Sequence, residues 1–230
     1  MTGLQEHATA RPLRADAERN RQRILRAAAE VFTTRGLHTS LDEVARHAGV
    51  GVGTVYRRFP DKDTLVEALF EERIQQIVKL ADEAWKEPDS WAALASFLER
   101  AGGILAADRG LRELLMFATH GRDRIEGTRA RMQPAVTRLV ERAQRDGKLR
   151  TDIQPTDMPF VEFMLTAAAQ YADHIQPGIW RRYLAIILDG LQPRRDGTTP
   201  LPVPALTPYQ MMDVMRGRSE AVTDAVRRSP

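Results

Sequence analysis

The 230-residue sequence contains no cysteine. That excludes a disulfide framework, a thiolate zinc site and a cysteine nucleophile. No run approaches the roughly 20 apolar residues of a membrane span, and the N-terminus has no apolar signal core, so a cytoplasmic chain with no membrane partner is expected. The acidic residues form no matched pair, and no Asp/Glu/His grouping has metal-ligand spacing. There is no phosphate loop and no nucleophile–base pair within sequence reach. The expectation is therefore no metal, no cofactor and no enzymatic activity. Period-2 alternation is absent as well, which argues against strands.

The chain is basic, but only slightly, at +3. The placement of that charge says more than its size. Residues 1–62 hold 11 Lys+Arg against 7 Asp+Glu, residues 63–192 hold 17 against 20, and residues 193–230 hold 6 against 4. The positive excess sits at the front, where it suits an anionic partner. Arginine supplies 30 of the 34 cations. That fits bidentate work on phosphates and bases, and it is equally what a GC-rich genome gives by codon bias.

The organisation reads as helix after helix. Residues 1–15, with Pro12 and no apolar periodicity, read as a disordered basic arm. From Asp16 to Arg35 the residues Ile24, Leu25, Ala28, Val31 and Phe32 share one helical face, which Gly36 ends. Ser40-Leu41-Asp42-Glu43 is a capping box that opens a short helix to His47. A third helix covers Val52–Phe59, and Pro60-Asp61 opens a fourth of about 25 residues, long for a globular helix. Further helices are expected at Ser90–Ala107, Leu111–Thr119, Arg122–Arg145, Thr156–Ile175 and Gly178–Leu191. After Gln192, Pro193, Pro200, Pro202, Pro204 and Pro208 imply an extended tail over the surface, with a helix-compatible stretch from Pro208 to Arg228. The domains expected are 16–65, 66–192 and the tail 193–230.

Residues 40–59 have the mechanics of a helix-turn-helix. Ala45 is small where the helices cross, and Gly49 can take the positive φ of a sharp turn. Leu41, Val44, Val50 and Val55 supply a small apolar core. Val52, Thr54, Tyr56, Arg57 and Arg58 then face outward, as a recognition helix requires in a major groove. Lys62 stands in the first turn of the fourth helix, where the macrodipole disfavours a cation. A phosphate held jointly by the amine and the helix N-terminus resolves that conflict; simple solvation of Lys62 is the plainer reading.

Residues 20–72 resemble the DNA-binding domain of the TetR (tetracycline repressor) family of bacterial regulators. The resemblance rests on Ile24-Leu25-x-Ala27-Ala28, Phe32 and Gly36, then Leu41-x-x-Val44-Ala45-x-x-Ala48-Gly49-Val50 and Gly53-Thr54-Val55-Tyr56-x-x-Phe59-x-x-Lys62-x-x-Leu65. It implies an all-α protomer of about nine helices, with three N-terminal helices for DNA and a C-terminal helical bundle for ligand binding and dimerisation. Carried onto this chain, Thr54, Tyr56 and Lys62 fall where operator phosphates are held. With Arg14, Ser40, Val52, Gly53, Arg57 and Arg58 they form the expected DNA-binding set, and Arg11 and Arg14 are candidates for a neighbouring minor groove. Gly51 and Val52 depart from the pattern, which often has Ser and a polar residue there, so the recognition helix lacks its usual cap and one polar reader. Trp180–Leu191 with the Pro-rich tail resembles an actinobacterial branch of the family.

In the C-terminal half, Phe160–Ala168 and Ile179–Leu191 are apolar over more than one face, so a partner surface is expected in addition to a core. Phe160, Met164, Ile179, Tyr183, Ile187 and Leu191 are the expected homodimer interface; a deeper monomer core is the alternative. Trp85, Trp91, Phe97, Met116, Phe117, His120, Phe163, Met164 and Tyr171 are pocket candidates, with His120 and His174 as polar residues in apolar surroundings. Plain core, and a satisfied structural histidine, are the alternatives at each. The function expected is a homodimeric repressor on a palindromic double-stranded DNA operator, released by a small apolar or aromatic effector. The alternatives are a DNA-binding regulator with no small-molecule ligand, and a helical enzyme.

Overall fold

The computed structural model describes residues 6–108, 122–194, 197, 199–212 and 214, with side chains described outside 6–15 and 122–130. Among them the chain is all-α, with no strand. The helices are α1 (Glu6–Arg35), α2 (Leu41–Ala48), α3 (Val52–Arg58), α4 (Lys62–Ala84), α5 (Ser90–Ala107), α6 (Arg122–Arg145), α7 (Met158–Ala172) and α8 (Trp180–Leu191). A 3-10 turn, Pro155–Asp157, leads into α7. The helix expected at Leu111–Thr119 lies outside the described residues.

The first difference from expectation is at the N-terminus. Residues 6–15, expected to be disordered, are helical, and α1 starts at Glu6. Burial on α1 begins only at Ile24, and residues 16–20 are exposed. What extends the helix outward is therefore composition, because Ala, Arg, Glu and Gln are strong helix formers. Pro12 removes one helical donor there, and the run tolerates it. At the other end α8 starts at Trp180 rather than Gly178, because Gly178 takes φ +78°.

The apolar side chains form two clusters. Ile24, Leu25, Ala28 and Phe32 of α1 pack with Leu41, Val44 and Ala45 of α2, Val55 of α3, Phe59 and Leu65. A larger body cluster runs from Phe70 and Ile74 of α4 through Leu94, Phe97 and Leu98 of α5, Leu139 and Val140 of α6, and Val161 and Leu165 of α7 to Trp180 and Leu184 of α8. Leu37 and Val66 pack against both clusters, so α4 joins head and body within a few residues of Leu65.

Polar contacts reinforce this frame. Arg131 pairs with Glu71 at 2.9 Å and Arg138 with Asp82 at 2.8 Å, tying α6 to α4. Arg142 donates to the carbonyls of Trp85, Glu87 and Pro88 just past the end of α4, satisfying groups that α4 and the following turn leave open. Asp108, the C-cap of α5, accepts from Thr33 of α1 and Arg73 of α4, each at 3.1 Å. The tail crosses the body surface, where Arg150 donates to the Thr199 carbonyl and Thr156 to the Leu206 carbonyl.

Candidate nucleic-acid interface

Local chemistry sets the two short helices of the head. The Ser40 hydroxyl accepts from the Glu43 N–H, and the Glu43 carboxylate accepts from the Ser40 N–H at 2.9 Å, completing the capping box. That backbone donation, first among its causes, holds the Glu43 carboxyl below its ordinary pKa. Helix α2 ends at Gly49, whose φ of +63° returns its N–H to the carbonyls of Ala45 and Arg46. The guanidinium of Arg23 on α1 donates to the Gly49 carbonyl at 3.2 Å, so the turn is held from below. A side chain at 49 would meet both the left-handed backbone and that guanidinium.

Helix α3 starts from Gly51, which offers no side-chain cap. The Thr54 N–H donates to the Gly51 carbonyl at 2.8 Å, and the N–H groups of Val52 and Gly53 receive no side-chain cap. Val55 is fully buried and anchors the helix, while Val52, Gly53, Tyr56, Arg57 and Arg58 are exposed and Thr54 is half-buried. Apart from its own helix and chain neighbours, nothing among the described residues lies within 4 Å of the Cβ position at Gly53, so that face is open. Arg57 reaches back to the Thr54 hydroxyl at 3.4 Å, and Arg58 faces Glu18 of α1 at 3.7 Å. Lys62 is the first residue of α4, half-buried, and carries no ion pair among the described residues. Asp61 caps the helix it opens by accepting from the Thr64 N–H at 2.7 Å.

Asp42, absent from the expected set, belongs beside Tyr56. Its carboxylate, chiefly by its charge and also by accepting the phenol's hydrogen bond, raises the Tyr56 pKa above the ordinary value. The signal in sequence was weak, since an acid in the first turn of a helix is ordinary capping chemistry. The set brought together on one face is Val52, Gly53, Thr54, Tyr56, Arg57 and Arg58, with Ser40 at the neighbouring helix start and Lys62 just beyond α3. The side chains of Arg11 and Arg14 lie outside the described residues.

The pocket candidates whose side chains are described sit in different surroundings. Phe97 is buried in the body core, but Trp85 is a surface residue under the guanidinium groups of Arg138 and Arg142. Met164 and Tyr171 are 53% and 78% exposed, and His174 is exposed too. An apolar stripe at helical spacing serves a partner surface as readily as a cavity, and these two residues face outward. Met116, Phe117 and His120 lie outside the described residues. Of the expected interface residues, Leu191 is buried in its own protomer's core and leaves the set. Phe160, Ile179 and Ile187 are half-buried, Met164 and Tyr183 exposed, and Ile175 and Ile186 join them on the surface. Phe163 is half-buried, its ring edge-on to Phe160 at 6.1 Å between centroids.

A glycine-turned helix pair that presents an open, arginine-bearing second helix, mounted on an all-helical body, defines a helix-turn-helix DNA-binding protein. Residues 24–69 match the bacterial regulatory proteins of the tetR family, and residues 89–193 match the C-terminal domain of SbtR-like transcriptional regulators. A TetR transcription regulatory protein from Mycobacterium vanbaalenii is 34% identical, covering 79% of this chain and 99% of that one, with a TM-score of 0.59. The chain therefore belongs to the TetR family of transcriptional regulators. The fatty acid metabolism regulator protein of Bacillus subtilis is 33% identical over 90 residues, 38% of this chain and 46% of that protein. The chain spans less than half the length of the curated relatives it matches. The fold is also that of FadR from Bacillus subtilis, solved in complex with stearoyl-CoA, at 17% identity, TM-score 0.61, and 74% and 99% coverage of the two chains.

Proposed function

We propose that the protein is a homodimeric repressor in the cytoplasm that binds a palindromic operator and is released by a small effector with an apolar or aromatic body. The observation that carries this reading is the pairing of two uncovered surfaces. One is the open face of α3. The other is the apolar face of α7, α8 and the turn between them, where Met164, Tyr171, Ile175, Tyr183 and Ile186 are exposed. One α3 reads only half a site, and a two-fold partner seated on α7 and α8 supplies the second.

The roles follow from chemistry. Tyr56 and Lys62, with the uncapped N–H groups of α3, hold phosphates. Arg57 and Arg58 reach base edges or phosphate, and Val52 offers a methyl contact to thymine. Effector binding in the body changes the separation of the two α3 helices from the roughly 34–36 Å of one DNA turn. A coupling of about 1–3 kcal/mol suffices for such a switch. The stearoyl-CoA complex of the B. subtilis regulator supports a body of this fold taking a small molecule.

The test is selection of bound DNA from a random pool, with sedimentation of the same protein sample. An enriched palindrome and a dimer are expected. Salt-sensitive binding without enrichment would remove the specific-repressor reading.

A further inference from the structure

One charged residue in the body has no structural role on view. In α7, Glu162 is the only Asp, Glu, Lys or Arg in a mostly apolar run. Part of the residue reaches solvent, but both carboxylate oxygens are shut off from water, and neither has a hydrogen-bond partner among the described residues. An unmatched buried polar group costs on the order of 1–3 kcal/mol, and an unmatched buried charge more. Packing alone would favour Leu or Met at this position.

Two glycines leave a notch in the surface of α5, and neighbouring side chains pack down onto it. A Cβ placed on Gly102 of α5 would lie 3.2 Å from Cζ3 of Trp180, 3.4 Å from Oε2 of Glu162 and 3.5 Å from Leu165. Glu162 and Trp180 thus converge on bare backbone in the middle of α5. The next residue, Gly103, has room for a methyl group, since its Cβ would sit 3.7 Å from Trp180. Glycine inside a helix costs about 1 kcal/mol against alanine, so packing does not account for Gly103. Trp180 turns the carbon edge of its benzo ring to the notch. The cation next to Trp180, Arg181, stacks on the Trp180 ring at 4.4 Å and pairs with Glu99 at 3.4 Å. The protein reserves no donor for Glu162 among the described residues.

We propose that Glu162 is the polar anchor of the effector site between α5, α7 and α8, and that the effector carries a protonated amine on an apolar body. This rests on the reading of the body as an effector domain. A carboxylate out of water gains most from a charge-assisted bond to an ammonium group, while Trp180, Leu165 and the glycine floor suit hydrocarbon. Burial pushes the Glu162 pKa to about 8, so at neutral pH the carboxyl is held mostly protonated. An arriving ammonium ion keeps its own protons and displaces the carboxyl proton to solvent. Binding at pH 7 then releases close to one proton per site.

The test uses octylamine and 2-phenylethylamine, each beside its alcohol, 1-octanol and 2-phenylethanol. Calorimetry is run at pH 7 in two buffers of different ionisation enthalpy. At least one amine is expected to bind tenfold or more tighter than its alcohol, with release of nearly one proton. In Glu162→Gln the amine preference and the proton release are both lost, while alcohol binding stays. Gly102→Ala, whose methyl group would crowd Trp180, Leu165 and the Glu162 carboxylate together, weakens amine and alcohol alike. Failure of both amines to bind, or an amine preference that survives Glu162→Gln, overturns the proposal. Operator affinity is measured alongside. Amine binding that needs Glu162 but leaves DNA affinity unchanged supports the anchor and sinks the ligand-responsive repressor. An operator response to other ligands, indifferent to Glu162, does the reverse.

Discussion

Replacing Glu162 by Gln should make the protein more stable, and by an amount that grows with pH. Burial alone moves the carboxyl from an ordinary 4.5 to about 8. Below pH 4.5 the group is protonated in both folded and unfolded chains and contributes no difference. Between those values the folded chain holds a proton that the unfolded chain has lost, so stability falls as pH rises and levels off above 8. At about 1.36 kcal/mol per tenfold, the loss between pH 5 and pH 8 is roughly 3–4 kcal/mol. Gln keeps the shape and never ionises, and its amide suffers about the same lack of partners as the neutral acid. The difference in stability between Glu162→Gln and wild type should therefore widen by that amount across the range. For a chain of this size that is on the order of 7–15 °C in Tm. Thermal unfolding by circular dichroism at pH 5, 6, 7 and 8, at fixed protein concentration and ionic strength, measures it. Every other titrating group cancels in the difference. A difference that stays flat with pH would show that the carboxyl is hydrated or paired, and the argument from burial would be wrong.

Other perturbations separate the roles given to the head and the dimer face. Tyr56→Phe and Lys62→Ala should weaken binding to all DNA sequences, and Lys62→Ala should lower the salt slope by about one; Arg57→Ala should change which sequences are preferred, and identical selection profiles for Lys62→Ala and Arg57→Ala would refute the assignment. Asp42→Asn removes an anion from beside Tyr56 and should raise affinity by about two- to fivefold at low salt, which anisotropy titration reads. Ile186→Glu places a charge on an exposed apolar residue and should give a folded monomer in sedimentation; an intact dimer would move the interface elsewhere.

How much could be read from sequence depended on how far apart the cooperating residues lie. The capping box spans four residues and the Gly49 turn closes on Ala45 and Arg46, so each left a local pattern. Helices α5 and α6 likewise carry their boundaries in their own composition, and both run as expected. What failed was long-range. Asp108 meets partners 75 and 35 residues away, and Glu162 meets Gly102 and Trp180 from two other helices. Periodicity identified Met164 and Tyr171 as apolar helical positions, but cannot tell a cavity wall from a partner face. Leu191 belonged to the same pattern and points inward. Glu162 did leave a signal, as a lone acid in an apolar helix, and such a residue merits attention before any aromatic stripe.

Asp108 also shows how the body can hold the head. A carboxylate at the C-terminus of α5 opposes the helix dipole, so its placement there calls for compensation. Arg73 supplies it from α4, and the Thr33 hydroxyl adds a bond from α1. Asp108 is only 6% exposed, whereas the Arg73 side chain keeps 25% of its surface. Removing one member of a fully buried pair costs about 3–5 kcal/mol; with Arg73 partly solvated, about 2 kcal/mol is expected for Asp108→Ala. Thr33→Val breaks one bond to the carboxylate but leaves the ion pair, so about 1 kcal/mol is expected. Because Asp108 lies six residues beyond Gly102, about 9 Å along the same helix, movement of α5 at the notch is carried directly to a joint with both α1 and α4. Asp108→Ala should therefore speed amide exchange in the last turns of α1 as well as lower Tm. A variant that loses stability with α1 exchange unchanged would mean that the joint stabilises the body without restraining the head.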